Sequence, residues 1–336
     1  MSEQRFKEYR QTQKKKLEIF TRANALVFVM ALAAAFVWRY FFQNYISVAP
    51  DAKVFGGSKV LKVVFFDVGQ GDSALISTPA GRHILIDAGP IKGVTVEESE
   101  EGAYISEVDA AETVILPYLK RNNIKRLDAV VITHPHTDHF GGALKILDDK
   151  SISIGLFVDN GVAVPNPLYL DLLDKVRRRE IKYWSPSAGD VLPVEEEDLR
   201  IKFLLSEMPF GNKDHSAINN SSLVARLKYK NFTVLFTGDI ETAAELELLG
   251  WKTDLRAVVI KIPHHGSQTS STLPFLEVVA PSAAVITCGK ANPYGHPHEA
   301  VLERLARQKI KTFRTDESGA IVFQSDGKKY VNDTIR

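Results

Sequence analysis

One cysteine, three methionines and three tryptophans are spread over the 336 residues of this chain. A single thiol excludes an internal disulfide framework and any zinc cluster built on several cysteines. Cys288 ends an apolar stretch and reads as a small buried residue, not a nucleophile. No G-x-S-x-G segment occurs, so serine-hydrolase chemistry lacks its signature. Excess charge is missing too: 42 Lys/Arg face 41 Asp/Glu. That balance conceals an asymmetry, because residues 1–49 carry eight Lys/Arg against three Glu, leaving 34 against 38 for the rest. The body is therefore mildly acidic. A strongly basic nucleic-acid-binding surface over all of it is excluded, although a local basic groove is not. With 45% apolar and 25% charged residues the chain is globular in composition, which excludes wholesale disorder.

Long apolar runs are equally scarce, with one exception. Ala25 to Trp38 contains no polar side chain, and Tyr40-Phe41-Phe42 extend it beyond Arg39. As a helix, Ala25–Phe42 would be roughly 27 Å long, close to the hydrocarbon thickness of a bilayer. Lys14-Lys15-Lys16 and Arg22 precede it, a bias that places the N-terminus inside and the body outside. The organisation expected is a basic cytoplasmic tail (1–23), a signal anchor or transmembrane helix (24–42), a linker (43–59) and a folded domain (60–336). The body is thus expected outside the cytoplasmic membrane. A cleaved signal peptide ending at Ser47-Val48-Ala49, or a buried or interfacial helix, are the competing readings of the apolar run.

From Val60 onward, short apolar β-type runs alternate with helical patterns. Eleven segments read as strands: 61–69, 73–78, 83–89, 129–134, 152–160, 199–206, 222–229, 232–239, 257–265, 283–289 and 320–327. Helical periodicity occurs in 111–122, 141–149, 166–181, 240–249, 272–280 and 298–309. Residues 91–112 are acidic and weakly periodic, and read as an exposed loop or flap. The count suits two packed sheets with helices outside, a four-layer αββα sandwich.

Chemistry concentrates in four places. His134-Pro-His136-Thr-Asp138-His139 follows an apolar strand and precedes Gly141-Gly142. Four ligand-type side chains in six residues let His134 and His136 converge on one cation while Asp138 and His139 reach a second. Thr237-Gly238-Asp239 ends another apolar strand, where a carboxylate can bridge two cations. Pro263-His264-His265-Gly266-Ser267 ends a third, with one imidazole to complete a site and the other beside it or facing substrate. Asn292-Pro-Tyr294-Gly295-His296-Pro-His298 lies between a strand and a helix. Seven of the nine histidines fall in these segments. All four lie at strand C-terminal ends, hence on one edge of the sandwich. Asp67 and Asp72 sit in the polar turn DVGQGDS (67–73) near that edge, where they either support the site or simply form a turn. Asp87 in LIDAG (85–89) is placed to orient a ligand histidine through its second nitrogen.

The set HxHxDH–GG, TGD and PHHGS resembles the metallo-β-lactamase superfamily. With DVGQGDS, LIDAG, LPYLKRNNIKRLDAVVITHPHTDHFGG (116–142), NNSSLV (219–224), NPYGHPH and TDESGAIVF (315–323), the chain is similar to the metallo-β-lactamase-like domain of ComEC-type competence proteins over about residues 60–327. The resemblance implies two divalent metal ions, Zn²⁺ or Mn²⁺. It makes His134 and His136 ligands of the first, Asp138, His139 and His265 ligands of the second, and Asp239 the bridge. The histidine that typical members place before the strand at 222–229 is replaced here by Asn219-Asn220-Ser221-Ser222. An oxygen of Asn220, a water, a substrate phosphate or the earlier His215 are the candidates to fill that position. The expected reaction is hydrolysis of a phosphodiester, with Asp138, His296 and His298 as catalytic candidates. His296 or His298 would contact a phosphate oxygen or protonate the leaving oxygen. A DNA or other nucleic-acid nuclease tied to DNA uptake is the first reading. A cell-envelope phosphodiesterase of the phosphorylcholine-esterase type, a β-lactam hydrolase and a non-catalytic DNA-uptake module are the alternatives.

Overall fold

The computed structural model describes residues 60–99, 102–204, 215–251 and 253–335. The tail, anchor and linker expected at 1–59 lie outside the described residues, and among the described residues no helix is long and apolar enough to cross a membrane.

An eight-stranded sheet uses β1 (Leu61–Phe65), β2 (Ala74–Ser77), β3 (His83–Ile86), β7 (Ala129–Val131), β9 (Leu156–Val158), β10 (Lys182–Trp184), β17 (Ala320–Ser325) and β18 (Tyr330–Ile335), in the order β10-β9-β7-β3-β2-β1-β17-β18. A hairpin of β4 (Thr95–Ser99) and β5 (Gly102–Ile105) and a short pair of β6 (Arg126–Leu127) and β8 (Ser153–Ile154) stand apart from it. The six-stranded sheet runs in sequence order from β11 (Leu199–Leu204) through β12 (Val224–Tyr229), β13 (Phe232–Phe236), β14 (Val259–Lys261) and β15 (Ala283–Ile286) to β16 (Lys311–Arg314).

Strand alternation explains the layering. In the first sheet Val63, Phe65, Ile76 and Ile84 face inward, where they meet Leu227, Val234, Phe236 and Val285 of the second sheet. Their neighbours Val64, Leu75 and Leu85 face outward, onto Phe140, Ala143 and Leu147 of helix Thr137–Asp148 and Tyr169, Leu172 and Val176 of helix Pro167–Arg178. The second sheet repeats the scheme: Leu235, Ile260 and Ile286 pack outward on Ala244, Phe275, Val301 and Leu305 from helices Thr242–Gly250, Leu273–Val279 and Glu299–Arg307. Each Val, Leu, Ile or Phe side chain among these, fully buried, contributes about 1.5–3 kcal/mol of transfer free energy. The result is the helix–sheet–sheet–helix order expected.

The structure departs from the sequence reading in four ways. Three further strands, β10, β16 and β18, complete the large sheets. Residues 95–105 form a hairpin, not a loop, and Ala111–Ile115 wind as a π-helical turn leading into Leu116–Arg121. Helix Thr137–Asp148 begins four residues earlier than its apolar periodicity indicates, so Asp138 and His139 stand on its first turn and not on a loop. A short helix, His215–Asn220, precedes β12.

Candidate metal centre

The parallel strands β3, β7, β13, β14 and β15 end at one edge, and the turn after β1 ends there too. Six segments therefore deliver their side chains to one place. Tight backbone packing brings them together. Gly71, at φ +139°, lies where a Cβ would sit 2.4 Å from the Asp138 carbonyl oxygen, and Gly238, at φ +53°, would press a Cβ 2.8 Å from Ser222. His264 and His265 both adopt left-handed backbone, at φ 50° and 53°. That is a strained conformation for side chains of this size, and it turns the two rings to different surroundings.

Four atoms from three segments converge. Asp138 Oδ2 lies 3.5 Å from His139 Nε2 and 3.2 Å from His265 Nε2. Asp239 Oδ2 lies 3.0 Å from His139 Nε2 and 3.2 Å from His265 Nε2. All four donors fall within 4.8 Å of one another and are buried. The opposite side of each ring fixes its proton. His139 Nδ1 donates to Asp87 Oδ2 at 2.9 Å, and His265 Nδ1 donates to the Thr287 carbonyl at 2.8 Å. In the neutral tautomers both Nε2 lone pairs therefore face carboxylate oxygens, and such a cluster is stable only around a shared cation. Four ligands placed tetrahedrally at about 2.0 Å would stand about 3.3 Å apart, which matches this spacing. The residues fit a divalent ion. Without one a proton takes its place: burial disfavours the His139 imidazolium, but Asp239, Asp138 and Asp87 outweigh it and raise its pKa well above the ordinary value. The same partners act in reverse on Asp239: burial opposes its charge, yet His139, His265 and Lys261 hold it well below the usual carboxylate range.

His134 and His136 form a second corner. His134 Nε2 and His136 Nδ1 are 3.0 Å apart. Thr133 Oγ1 donates to Asp87 Oδ2 and Ser222 Oγ donates to the Asn219 carbonyl, so toward His134 both hydroxyls can only accept. His134 Nδ1 therefore donates to them, at 3.1 and 3.2 Å, and Nε2 keeps its lone pair. Burial, then the neighbouring His139, holds the His134 imidazolium pKa well below ordinary, and burial takes that of His136 down to about 4. Both rings are neutral at neutral pH. Among the described residues the buried His136 Nε2 has no hydrogen-bond partner, so none of them braces this nitrogen.

Within the segment that replaces the superfamily-type histidine, Ser222 braces His134 and Asn220 points elsewhere. Asn220 Oδ1 accepts from the backbone N–H of Glu241 and Ala244, at 3.0 and 3.1 Å, and its Nδ2 donates to the Ser216 carbonyl. It caps the start of helix Thr242–Gly250 and supplies no ligand. His215 lies beside His136 with the rings tilted by 40° and their centroids 5.5 Å apart.

Around these corners lie the remaining candidates. Asp87, at φ 56°, also accepts from Thr133 N at 2.8 Å, so one carboxylate ties β3 to the motif after β7. Asp72 reaches the centre: Oδ2 pairs with Lys261 Nζ, and Oδ1 accepts from Thr287 Oγ1. Asp67 does not. It accepts from Gly69 N at 3.3 Å, and its role is the turn. His264 lies beside Asn219, Thr269 and Glu241 rather than in the four-donor cluster. His298 Nδ1 accepts from Gln268 N at 3.0 Å and binds two loops together. His296 stacks on His265 with centroids 6.3 Å apart. Cys288 is buried, and burial pushes its thiol up to about 12, as expected of an inert residue.

Sequence reasoning missed two residues of the site. Lys261 is buried on β14, where its Nζ donates to Asp239 Oδ1 at 3.3 Å and to the Gly238 carbonyl at 3.2 Å in addition to Asp72. A lone charge inside the apolar run AVVIKI was the available signal. Gln70 is the other. Its Oε1 accepts from Gly289 N at 3.0 Å, which orients the amide so that Nε2 donates to His296 Nδ1 at 3.3 Å. His296 consequently carries its proton on Nε2.

Residues 66–290 match the family model of the metallo-beta-lactamase superfamily. ComE operon protein 3 of Bacillus subtilis (strain 168) is 33% identical over 264 residues, 78% of this chain and 33% of that protein. Competence protein ComA of Neisseria gonorrhoeae is 33% identical over 262 residues, 78% of this chain and 32% of that protein. The chain thus spans about a third of the length of the curated relatives it matches. Unliganded yeast PDE1 is similar in structure at a TM-score of 0.46 and 12% identity, covering 76% of this chain and 97% of that one. The chain belongs to the metallo-beta-lactamase superfamily.

Proposed function

We propose that this member of the metallo-β-lactamase superfamily hydrolyses phosphodiesters with the help of divalent cations, Zn²⁺ or Mn²⁺, and that its substrate is nucleic acid. The observation that carries the reading is the four-donor cluster of Asp138, His139, Asp239 and His265, each imidazole braced on its far nitrogen. His134 and His136 are the ligands for a second ion. Bound divalent cations supply an acidified water and positive charge facing the phosphoryl oxygens.

The chain's own groups do the rest. Asp87 and the Thr287 carbonyl hold His139 and His265 in the tautomer that ligates. Thr133 and Ser222 do so for His134. His296 is neutral: burial, then His265 and His264, push its pKa down to about 2. With its proton on Nε2, it is suited to donate a hydrogen bond to a phosphate oxygen rather than to transfer a proton as imidazolium. His298, committed to Gln268 N, is suited to positioning the loop that carries His296.

The competence proteins among the relatives favour DNA as the polymer, and the body's excess of acidic residues is offset locally by bound cations. The basic residues before the apolar run at 24–42 favour a single-pass anchor in the cytoplasmic membrane with the catalytic domain outside. An active reporter fused at the C-terminus only in the cytoplasm would overturn that topology. The complete donor cluster speaks against a non-catalytic uptake module. For the activity, chelated protein resupplied with Mn²⁺ or Zn²⁺ is assayed on single-stranded DNA, double-stranded DNA and bis-p-nitrophenyl phosphate. Metal-dependent cleavage of DNA is expected. Cleavage of a phosphorylcholine diester but not of DNA would move the function to the cell envelope, and no cleavage of any phosphodiester would sink the proposal.

A further inference from the structure

A lysine in the middle of a metal centre is an unusual neighbour for a carboxylate that should bridge two cations. Lys261 lies on β14, a central strand of its sheet, with its side chain 4% exposed. Its ammonium has three protons and meets three acceptors: Asp72 Oδ2, Asp239 Oδ1 at 3.3 Å and the Gly238 carbonyl at 3.2 Å. The two oxygens of Asp239 are thereby divided. Oδ2 faces His139 and His265 in the four-donor corner, and Oδ1 faces the ammonium. A carboxylate oxygen already paired with a buried cation is a poor ligand for another, because the two positive charges repel across a short, weakly screened distance. The corner of His134 and His136 is left with two imidazole nitrogens, since Asn220 is spent on a helix cap.

We propose that Lys261 is a built-in cation that claims one oxygen of Asp239 and so makes the two metal positions unequal. One divalent ion is held firmly by Asp138, His139, Asp239 and His265, and a second is held weakly at His134 and His136. Asp72 keeps Lys261 in place by neutralising it from the far side. Lys261 is thus a positioning residue that sets metal stoichiometry. The inference rests on the metal-dependent reading above, but its test reads binding and not turnover.

The full-length chain in detergent, stripped with a chelator, is titrated with Mn²⁺ by calorimetry and followed by electron paramagnetic resonance. Two steps are expected, the second weaker by about 10- to 100-fold or more, with the spectrum of an isolated ion after the first. In the double variant Lys261→Met/Asp72→Asn both buried charges are gone and Oδ1 is released. Its second step should tighten at least about tenfold toward the first. Asp72→Asn alone leaves Lys261 on Asp239 and should keep the steps far apart. If the double variant does not fold, Lys261→Gln, which removes the charge but keeps polar contact with Asp72, should show the same narrowing. Two equal tight steps in the unaltered chain, or an unchanged gap in the variants lacking the Lys261 charge, would overturn the assignment. No Mn²⁺ binding at all would overturn it together with the metal-dependent reading. Unequal binding without hydrolysis of any phosphodiester would leave the assignment standing and sink only the phosphodiesterase reading.

Discussion

The corner of Asp138, His139, Asp239 and His265 and the corner of His134 and His136 lie side by side, yet they are braced in different ways. In the first, two carboxylates face two imidazoles, and each ring leans on a fixed acceptor, Asp87 or the Thr287 carbonyl. In the second, two neutral imidazoles face each other. His134 leans on hydroxyls, while His136 Nε2 finds no hydrogen-bond partner among the described residues. The first corner carries the charge and rigidity that a divalent ion needs. The second supplies nitrogen donors and little else. A shared strand edge therefore does not make the two corners equal: the groups behind the donor atoms would decide how firmly each could hold an ion.

Asp239 belongs to the strong corner and faces the Lys261 ammonium, so the largest effect is expected there. Asp239→Asn should reduce phosphodiester hydrolysis to background and strip the tightly held ion, measured by elemental analysis after gel filtration. Retained metal with full activity would show that the four-donor corner is not the working site. The variant also leaves Lys261 with one carboxylate fewer, so thermal melting should accompany the metal measurement.

His296 sharpens the comparison because it supports neither corner as a ligand. His296→Ala should keep its metal while the rate on DNA falls about 10²–10³-fold, the usual loss of one preorganised donor to a developing oxyanion. Gln70→Leu removes the contact that fixes the tautomer together with the acceptor of Gly289 N, and should cost the rate about tenfold or less, because the imidazole can still populate the tautomer protonated on Nε2. If His296 donates to phosphate without moving a proton, substrates with good and poor leaving groups lose equally. A smaller loss on p-nitrophenyl esters would instead identify acid catalysis.

Acidity separates the corners next. In the metal-free protein His139 has a raised pKa, so its ion pairs contribute stability that is complete below the unfolded value of about 6.5 and is lost as pH rises through the higher folded value. A bound cation displaces that proton. Stabilisation by added Mn²⁺ should thus grow by up to about 1.4 kcal/mol per pH unit for each proton released, as pH rises from 6 toward 8. Asp239, whose pKa is depressed, matters only in acid: its contribution is present above about pH 4 and lost as pH falls through its folded value. His134 and His136, already neutral, release no proton near pH 7. A metal-induced shift in melting temperature that is flat between pH 6 and 8 would show that the ion does not displace the His139 proton.

What the chain discloses before folding follows the same division. His134, His136, Asp138, His139, Asp239 and His265 stand out because ligand-type side chains interrupt apolar strands at their ends, and Asp87 stands out for the same reason. Lys261 leaves only a lone charge inside an apolar run, and Gln70, Thr133 and Ser222 are not legible, since their roles depend on what lies opposite. Gln70 and His296, for instance, are 226 residues apart. The layered architecture was readable from interior strands, whose burial on both faces leaves continuous apolar runs. The strands of the two large sheets that escaped, β10, β16 and β18, are all sheet edges with largely half-exposed or exposed residues, so no run or clean alternation marks them. Asn220 shows the opposite failure. Its position suggests a ligand, while its amide is better used on two unsatisfied N–H groups at a helix start.

That assignment yields the smallest effect and a clean discriminator between the corners. Asn220→Ala removes the acceptor for Glu241 N and Ala244 N and the donor to Ser216. Loss of such a cap costs about 1 kcal/mol, typically 0.5–2, which in a domain of this size lowers the melting temperature by about 2 °C. Metal content and the two-step Mn²⁺ titration should not move, because no atom of Asn220 is spare for a cation. Asn220→Asp keeps the acceptor and places a negative charge at the helix start, where it is favourable, so it should recover most of the lost stability. Asn220→Ala with unchanged melting but a weakened second metal step would reverse the assignment. It would make Asn220 the missing ligand of the His134–His136 corner, and the contrast between the two corners would shrink accordingly.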